Sequence, residues 1–384
     1  MTHTSFIEIS ESALANNISF IEKLLGSNTK FSSVVKGNAY GHGIANIVPL
    51  ANKYGVDHFS VFSASEAVSV IEALPEKNIT VMIMGDIDNE ELEWAIENRV
   101  ELYLFEFDRL EATIQTARKL GKKAVVHIEV ETGMNRTGFY PSDIPQVLER
   151  LKLHTEFIEI RALCTHLAGA ESVANYKRIK DQIKVFKRVV QRHGGEDWFN
   201  PILHMASSAA SVRYPKTKFD MCRVGILQYG FFPAEENFVH YLAKTKTTET
   251  PLQRVVSWKS KVMNIKEVQA GEFVGYGNSF LANKPTKVAY IPVGYSFGYS
   301  RSLSNQGKVL IRGQRHDVIG TVNMSMMAVD VSDLDVVEKG DEAVLIGFQG
   351  DQEISVASFG DFSNQVNYEL LTRLPGDIPR FITE

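Results

Sequence analysis

The stretch FSSVVKGNAYGHG, residues 31–43, sets one lysine, Lys36, between an apolar β-prone run and a crowd of small, turn-forming residues. A lysine at a strand end reads in two ways: a solvated charge, or an amine held at the rim of a core. Val34 and Val35 immediately before it speak for the second, because desolvation disfavours the ammonium form. A neutral lysine amine can form a Schiff base with an aldehyde. Tyr40 and the flanking glycines would then let ring and backbone approach a bound group closely.

Other segments carry residue types suited to anions. ETGMNRTGF holds Arg136 in a glycine-punctuated loop, either as an exposed turn arginine or as a planar clamp for a carboxylate. CTHLAG places His166 after a buried run, where a structural histidine is the plain alternative to a working one. HMASSAAS offers Ser207 and Ser208 as a phosphate cup or as a helix cap. CRVGILQYG sets Arg223 two residues before Gly225, whose amide suits a phosphate. GYGNSF carries Tyr276 between two glycines, which by itself reads as a turn, and NMSMM reads by default as a half-buried strand around Met324.

Such residues need a scaffold. Eight short apolar runs alternate with longer amphipathic segments from Lys30 to Tyr229: FSSVVK, HFSVFS, ITVMIMG, ELYLFEF, AVVHIEV, IRALCTHL, ILHMAS and CRVGILQYG. That alternation predicts an α/β fold with an N-terminal (β/α)8 TIM barrel; an open doubly wound sheet is the other architecture of this pattern. In a barrel, chemistry gathers where strands end, and Lys36, Arg136, His166, Ser208 and Gly225 all lie at or just beyond the ends of runs. The longest helical stretch, YKRIKDQIKVFKRVVQRHGG, stops on Gly194 and Gly195. After Glu249 short β-rich runs divided by Gly, Asn and Asp predict a mostly-β C-terminal domain. The expected division is a barrel over residues 1–240 and a β-rich domain over 241–384.

Composition narrows the partners. The 384 residues carry a formal net charge of -5, which gives no basic footprint for nucleic acid. Cys164 and Cys222 lack the paired spacing of metal ligands, so no metal is expected, and they read as buried thiols of a reducing compartment. No basic-then-apolar leader and no run of about 18 apolar residues is present, so neither export nor a membrane partner is expected and the cytoplasm is the default.

Taken together and in order, VVKGNAYGHG, TGMNRTG, THLAGAES, SSAAS, RVGILQYG, GYGNSF and IPVGYSFGYSRSLSNQGKVLIRGQ resemble the fold-type III alanine racemases over essentially the whole chain. The resemblance implies a barrel with a C-terminal β domain, the cofactor pyridoxal 5′-phosphate, and interconversion of L- and D-alanine by two bases. It implies that Lys36 bonds the cofactor and is one base, and that Tyr276 is the opposite base. In this family that tyrosine comes from the other subunit, so a homodimer with shared active sites is expected. His166 corresponds to the tyrosine's partner and Arg223 to the residue facing the pyridine nitrogen. Arg136 and the amide of Met324 match contacts to the substrate carboxylate, and Tyr295 a tyrosine lining the substrate's approach. Tyr40, Ser208, Gly225 and Ile226 fall where the family holds the phosphate.

Three positions depart from the family pattern. Glu129 stands where many members carry a carbamylated lysine, and a carboxylate there reads as a built-in anion for Arg136. Ser325 follows Met324 where the family has aspartate, and Gly376 replaces a tyrosine near the phosphate. These changes bear on substrate range more than on reaction class. They keep open a racemase for serine or larger amino acids, beside a non-catalytic cofactor-binding barrel, which typically lacks the β domain.

Overall fold

The computed structural model describes residues 3–76, 78–193, 198–356 and 367–384. The chain divides into two compact units, Ala13–Ala39 with Ile47–Gln253, and Met1–Ser12 with Tyr40–Asn46 and Arg254–Glu384. The first strand, β1 (Ser5–Ser10), belongs to the second unit. The first unit closes eight parallel strands into a barrel: β2 (Lys30–Val34), β3 (His58–Val61), β4 (Thr80–Ile83), β5 (Glu101–Leu104), β6 (Ala124–Glu129), β7 (Ile158–Cys164), β8 (Ile202–Ser207) and β9 (Met221–Val224). Closure is made by β9 on β2, with Lys30 opposite Met221 and Ser33 opposite Val224. All eight apolar runs are barrel strands. Helix Tyr176–His193 is the long charged segment; its expected stop, Gly194 and Gly195, lies outside the described residues.

Strand periodicity sorts the side chains. Val126 and Ile128 of β6 pack outward with the helix residues Ile114, Ala117, Val147 and Leu148. His127 and Glu129, on the alternate face, point inward. The inner face holds a small apolar layer of Met82, Tyr103, Cys164 and Met221. It also holds the buried polar side chains Ser32, His58, Glu101, His127, His204 and Arg223. Each aliphatic side chain buried between strands and helices contributes about 1.5–3 kcal/mol. That outer layer carries the stability and leaves the inner face able to hold polar groups.

The helices between strands begin and end as their sequences dictate. Before helix Phe107–Leu120, the Glu106 carboxylate accepts from the amides of Asp108 at 2.8 Å and Arg109 at 2.6 Å, and left-handed Gly121 ends the helix.

The second unit is a ten-stranded sheet. Its later strands are β10 (Val256–Lys261), β11 (Asn264–Val268), β12 (Thr286–Ile291), β13 (Lys308–Ile311), β14 (Gln314–Ile319), β15 (Met327–Asp330), β16 (Glu342–Gln349), β17 (Gln352–Ile354) and β18 (Arg380–Thr383). The order is β11-β12-β15-β14-β13-β16-β10-β1-β18, with β17 on β16. The division expected at residue 240 differs from these units in three places. Residues 1–12 and 40–46 belong with the sheet, and the later break falls after Gln253. The reason is visible in β1: Ile7 and Ile9 are fully buried and alternate with half-buried neighbours. Such a strand needs a sheet edge, and a closed barrel has none. It pairs instead with β10 antiparallel and β18 parallel.

Asn17, buried in helix Glu11–Leu25, latches the barrel unit. Its amide donates to Gln228 O at 3.1 Å and Gln253 O at 2.6 Å, and its carbonyl accepts from Gln253 N at 2.8 Å. Asn17→Ala is expected to lower the unfolding free energy by about 1–3 kcal/mol in urea titration, since one buried and two part-buried bonds are lost.

Candidate active site

The end of β2 is anchored before Lys36 begins. Val34 O accepts from Gln228 Nε2 at 2.9 Å and Tyr229 Oη at 3.0 Å, while Val35 N donates to Ser60 O at 2.9 Å. The chain then makes a left-handed turn: φ is 63° at Gly37, 52° at Asn38, 54° at Ala39 and 52° at Tyr40. Ala39 N closes it onto Val35 O at 2.7 Å. Each non-glycine residue in this conformation costs about 1–2 kcal/mol. Glu66 offsets part of that, because its carboxylate accepts from Gly37 N at 2.6 Å and Phe62 N at 2.8 Å. The strained turn aims Lys36 out of the strand line.

Lys36 keeps an accessible face, yet protein atoms crowd its ammonium. Desolvation first, then the charge of Arg136 and more weakly that of Arg223, hold its pKa below the ordinary lysine value; Glu66 pulls the other way. Arg136 lies in the loop after β6, where Glu131 takes the amides of Gly133 and, at 3.3 Å, of Arg136. Arg178 ties the same loop through Gly133 O at 3.0 Å and Met134 O at 3.2 Å. Arg223, buried on β9, donates through Nη2 to Thr165 O at 2.9 Å and to His166 Nδ1 at 3.4 Å, and through Nη1 to His204 Nδ1.

His166 is pushed down to about 3 by burial and then by the charges of Arg223, Arg136 and Lys36. It is therefore a neutral imidazole at physiological pH. A guanidinium only donates, so Nδ1 accepts and the proton of His166 sits on Nε2, available to a further acceptor. Glu129, also buried, has its carboxyl raised by desolvation; the Thr137 hydroxyl, Arg223 and Arg136 oppose this.

Ser208 opens the short helix Ser208–Arg213, and Gly225 precedes the 3-10 turn Ile226–Tyr229. The two meet directly, since Gly225 N donates to Ser208 Oγ at 3.0 Å. The Gly225 amide, read from sequence as open, is thus engaged, and the Ser208 hydroxyl proton is the donor left to point elsewhere. The barrel unit therefore brings together Lys36, Glu129, Arg136, His166, Ser208, Arg223, Gly225 and Ile226.

The remaining expected residues lie in the second unit. Tyr40 starts its segment Tyr40–Asn46, and Tyr40 O contacts His42 Nδ1 at 3.0 Å. Tyr276 is 74% exposed between left-handed Gly275 and Gly277, and its carbonyl accepts from Thr321 Oγ1 at 3.1 Å. Tyr295 N donates to Asn323 O at 3.0 Å, and Ser296 donates to Met324 O through its amide at 3.0 Å and its hydroxyl at 2.7 Å. Gly294 permits this closeness: a Cβ there would lie 2.0 Å from Asn323 O. Tyr276, Tyr295 and Met324 are thus gathered on one exposed loop cluster.

Sequence reading missed Glu66 and His204. Glu66 carried a signal in Ser63-x-x-Glu66, a capping-box spacing, and Ser63 Oγ does accept from Glu66 N. His204 carried none, since a histidine inside an apolar run looks structural. Among the described residues no group of three His, Cys, Asp or Glu could hold a metal, and no helix is long and apolar enough to cross a membrane.

Comparison with known proteins follows the same outline. Residues 9–233 match the family model for the alanine racemase N-terminal domain, and residues 255–382 that for the C-terminal domain. The alanine racemase of Leptospira interrogans serovar copenhageni is 32% identical over 386 aligned positions, covering 100% of this chain and 97% of the relative. The structure of the Clostridium difficile 630 alanine racemase superposes with a TM-score of 0.89 at 27% identity, covering 100% of this chain and 97% of that one. A crystal structure of the Bartonella henselae alanine racemase with covalently bound pyridoxal phosphate gives 0.85 at 27% identity, with both chains fully covered.

Glu66 is the anion that raises the Lys36 pKa. Glu66→Gln keeps an acceptor for the turn but removes the charge. The Lys36 amine is expected to titrate at still lower pH, measured by NMR after reductive methylation with labelled formaldehyde; an unchanged or raised value would show that the carboxylate does not act on it.

Proposed function

The chain belongs to the alanine racemase family, and from that premise we propose that it interconverts L- and D-alanine with pyridoxal 5′-phosphate held at the mouth of the barrel. The observation that carries this reading is the convergence of Lys36, Arg136 and Arg223 around one amine of depressed basicity. The donor set suits the cofactor. A nucleophilic amine matches its aldehyde, and the surplus positive charge matches its phosphate and the substrate's carboxylate. Lys36 would hold the aldehyde carbon, Ser208, Ile226 and Tyr40 the phosphate with Gly225 N bracing the Ser208 hydroxyl, and Arg223 the pyridine nitrogen. When bound, the cofactor supplies a π system that stabilises the charge left when an α-proton departs.

The chain's own groups do the rest. Arg136 orients the substrate carboxylate, and the Met324 amide and Tyr295, on the same loop cluster as Tyr276, would reach it from the second copy of the chain that supplies Tyr276. Lys36 Nζ takes or returns the α-proton on one face, and Tyr276 Oη does so on the other. A free tyrosine, with a pKa near ~10, is a poor base at neutral pH, so its phenolate needs a donor. The Nε2 proton of neutral His166 is that donor. A guanidinium cannot give up its proton, so a pyridine nitrogen facing Arg223 would stay unprotonated, which would hold back side reactions that need a stronger electron sink.

Tyr276 serves a second copy of the chain, in a homodimer with shared sites. Its high exposure on a cluster that also bears exposed Phe273 and Leu281 supports that assembly. The reading places D-alanine production in the cytoplasm, in keeping with the buried free thiols Cys164 and Cys222. The broader-specificity and non-catalytic alternatives gain no support from the relatives.

Purified protein supplied with pyridoxal 5′-phosphate should form D-alanine from L-alanine and exchange the α-proton in deuterated water. Lys36→Ala and Tyr276→Phe should each abolish racemisation, and a refolded mixture of the two should regain about a quarter of it, because half the dimers then hold one intact site. No exchange by the native protein would refute the activity, and no recovery in the mixture would refute the shared site.

Burial raises the Glu129 carboxyl while the charges of Arg136 and Arg223 oppose that, and we read it as the built-in anion for Arg136. Glu129→Gln should raise KM for alanine about tenfold with a smaller change in kcat, since Arg136 would lose its orienting partner.

A further inference from the structure

A line of buried polar side chains crosses the barrel interior away from Arg223. His204 Nδ1, on β8, receives Arg223 Nη1. His204 Nε2 lies 2.9 Å from His127 Nδ1 on β6, and His127 Nε2 lies 2.8 Å from Glu101 Oε2 at the start of β5. The same oxygen is 3.3 Å from His58 Nε2, whose Nδ1 is 2.9 Å from Ser32 Oγ. Glu101 Oε1 forms an ion pair with Arg161 at 3.3 Å. Glu101, His127, His204 and His58 are all buried.

We propose that Glu101 is a positioning residue that acts through His127 and His204 to fix which ring nitrogen, and hence which hydrogen-bonding character, faces Arg223. Only one arrangement of protons satisfies the line. At one end a guanidinium has donors and no acceptor, so His204 Nδ1 must offer its lone pair. The His204 proton then sits on Nε2 and is given to His127 Nδ1. The His127 proton then sits on Nε2 and is given to Glu101. At the other end a carboxylate has acceptors and no donor, which closes the chain with every bond made.

Two observations support a fixed direction. Burial keeps His127 and His204 neutral; desolvation would raise the Glu101 carboxyl, but the hydrogen bonds from His127 and His58 outweigh it and hold it well below the usual range, so it is ionised. Tyr103, two residues along β5, stacks on the His127 ring with centroids 5.8 Å apart and planes 19° apart, which resists a ring flip. The consequence for chemistry rests on the racemase reading above. With His204 Nδ1 as a fixed acceptor, one arm of Arg223 is held and the guanidinium keeps its orientation toward the barrel mouth. If the His204 proton moved to Nδ1, two donors would face each other and Arg223 would be displaced.

The direction is read by histidine 15N NMR on the full-length protein, with signals assigned through single substitutions. His127 and His204 should both be neutral and protonated on Nε2 between about pH 7 and 9, because burial lowers both from the ordinary imidazole value. Glu101→Met removes the acceptor at similar size, so the line is held from the Arg223 end alone; an Nδ1-protonated His204 population should then appear beside the Nε2 form and kcat for alanine fall about tenfold, with KM changed less. His127→Gln can still donate to Glu101 and accept from His204, so it should keep His204 on Nε2 and keep kcat within about threefold. His204 protonated on Nδ1 or on both nitrogens in the native protein would overturn the proposal, as would an unchanged tautomer in Glu101→Met. Should that variant not fold, loss of the His204 tautomer in His127→Gln would overturn it equally. These spectra do not depend on turnover, so failure of the racemase reading would show separately.

Discussion

Positive charge crowded into a desolvated barrel end governs this molecule. Lys36, Arg136 and Arg223 are gathered at the end of one barrel, where burial and the two guanidinium charges both disfavour a further positive charge on Lys36 and His166. Arginine cannot relieve that cost by losing a proton, whereas lysine and histidine can. The penalty of burial first, and then of the neighbouring charges, therefore falls on Lys36, whose amine is made less basic, and on His166, which is kept neutral. A site built this way holds a nucleophilic amine, a neutral hydrogen-bond donor and a surplus of positive charge for an anionic ligand.

Holding such a cluster requires rigid backbone, and the barrel supplies it in two forms. Aliphatic packing between strands and helices provides stability, so the inner face is free to carry ionisable groups. Local strain then aims the critical side chain. The left-handed turn from Gly37 through Tyr40 would not persist on its own. It is held by Glu66 on one side and by the anchored end of β2 on the other. Glu66 also bears on the Lys36 amine, so one carboxylate couples backbone geometry to basicity.

Much of this was legible in the residues. The eight apolar runs named the barrel strands because each parallel strand must present apolar side chains to the helices that cover it. Lys36, Arg136, His166 and Arg223 were legible as a set because residue type and strand-end position together mark the catalytic end of a barrel. The place of β1 was not, because a short alternating strand at the start of a chain carries no mark of its partner. Gly225 was read as offering a free amide, and only the approach of Ser208 removes it. Glu101 and His127 looked like ordinary members of apolar runs.

By itself, then, the sequence determined the order of elements, the residue types able to do the chemistry and the family that shares them. These follow from local pattern: hydrophobic period, turn residues, and short motifs in a given order. Tertiary structure decided what depends on neighbours distant along the chain. It decided that Lys36 is crowded by two arginines, that β1 completes a sheet begun some 250 residues later, and that Glu101 and Arg223 terminate one line of hydrogen bonds. Basicity, strand pairing and tautomer are set by what lies a few ångströms away, and sequence separation does not encode that distance.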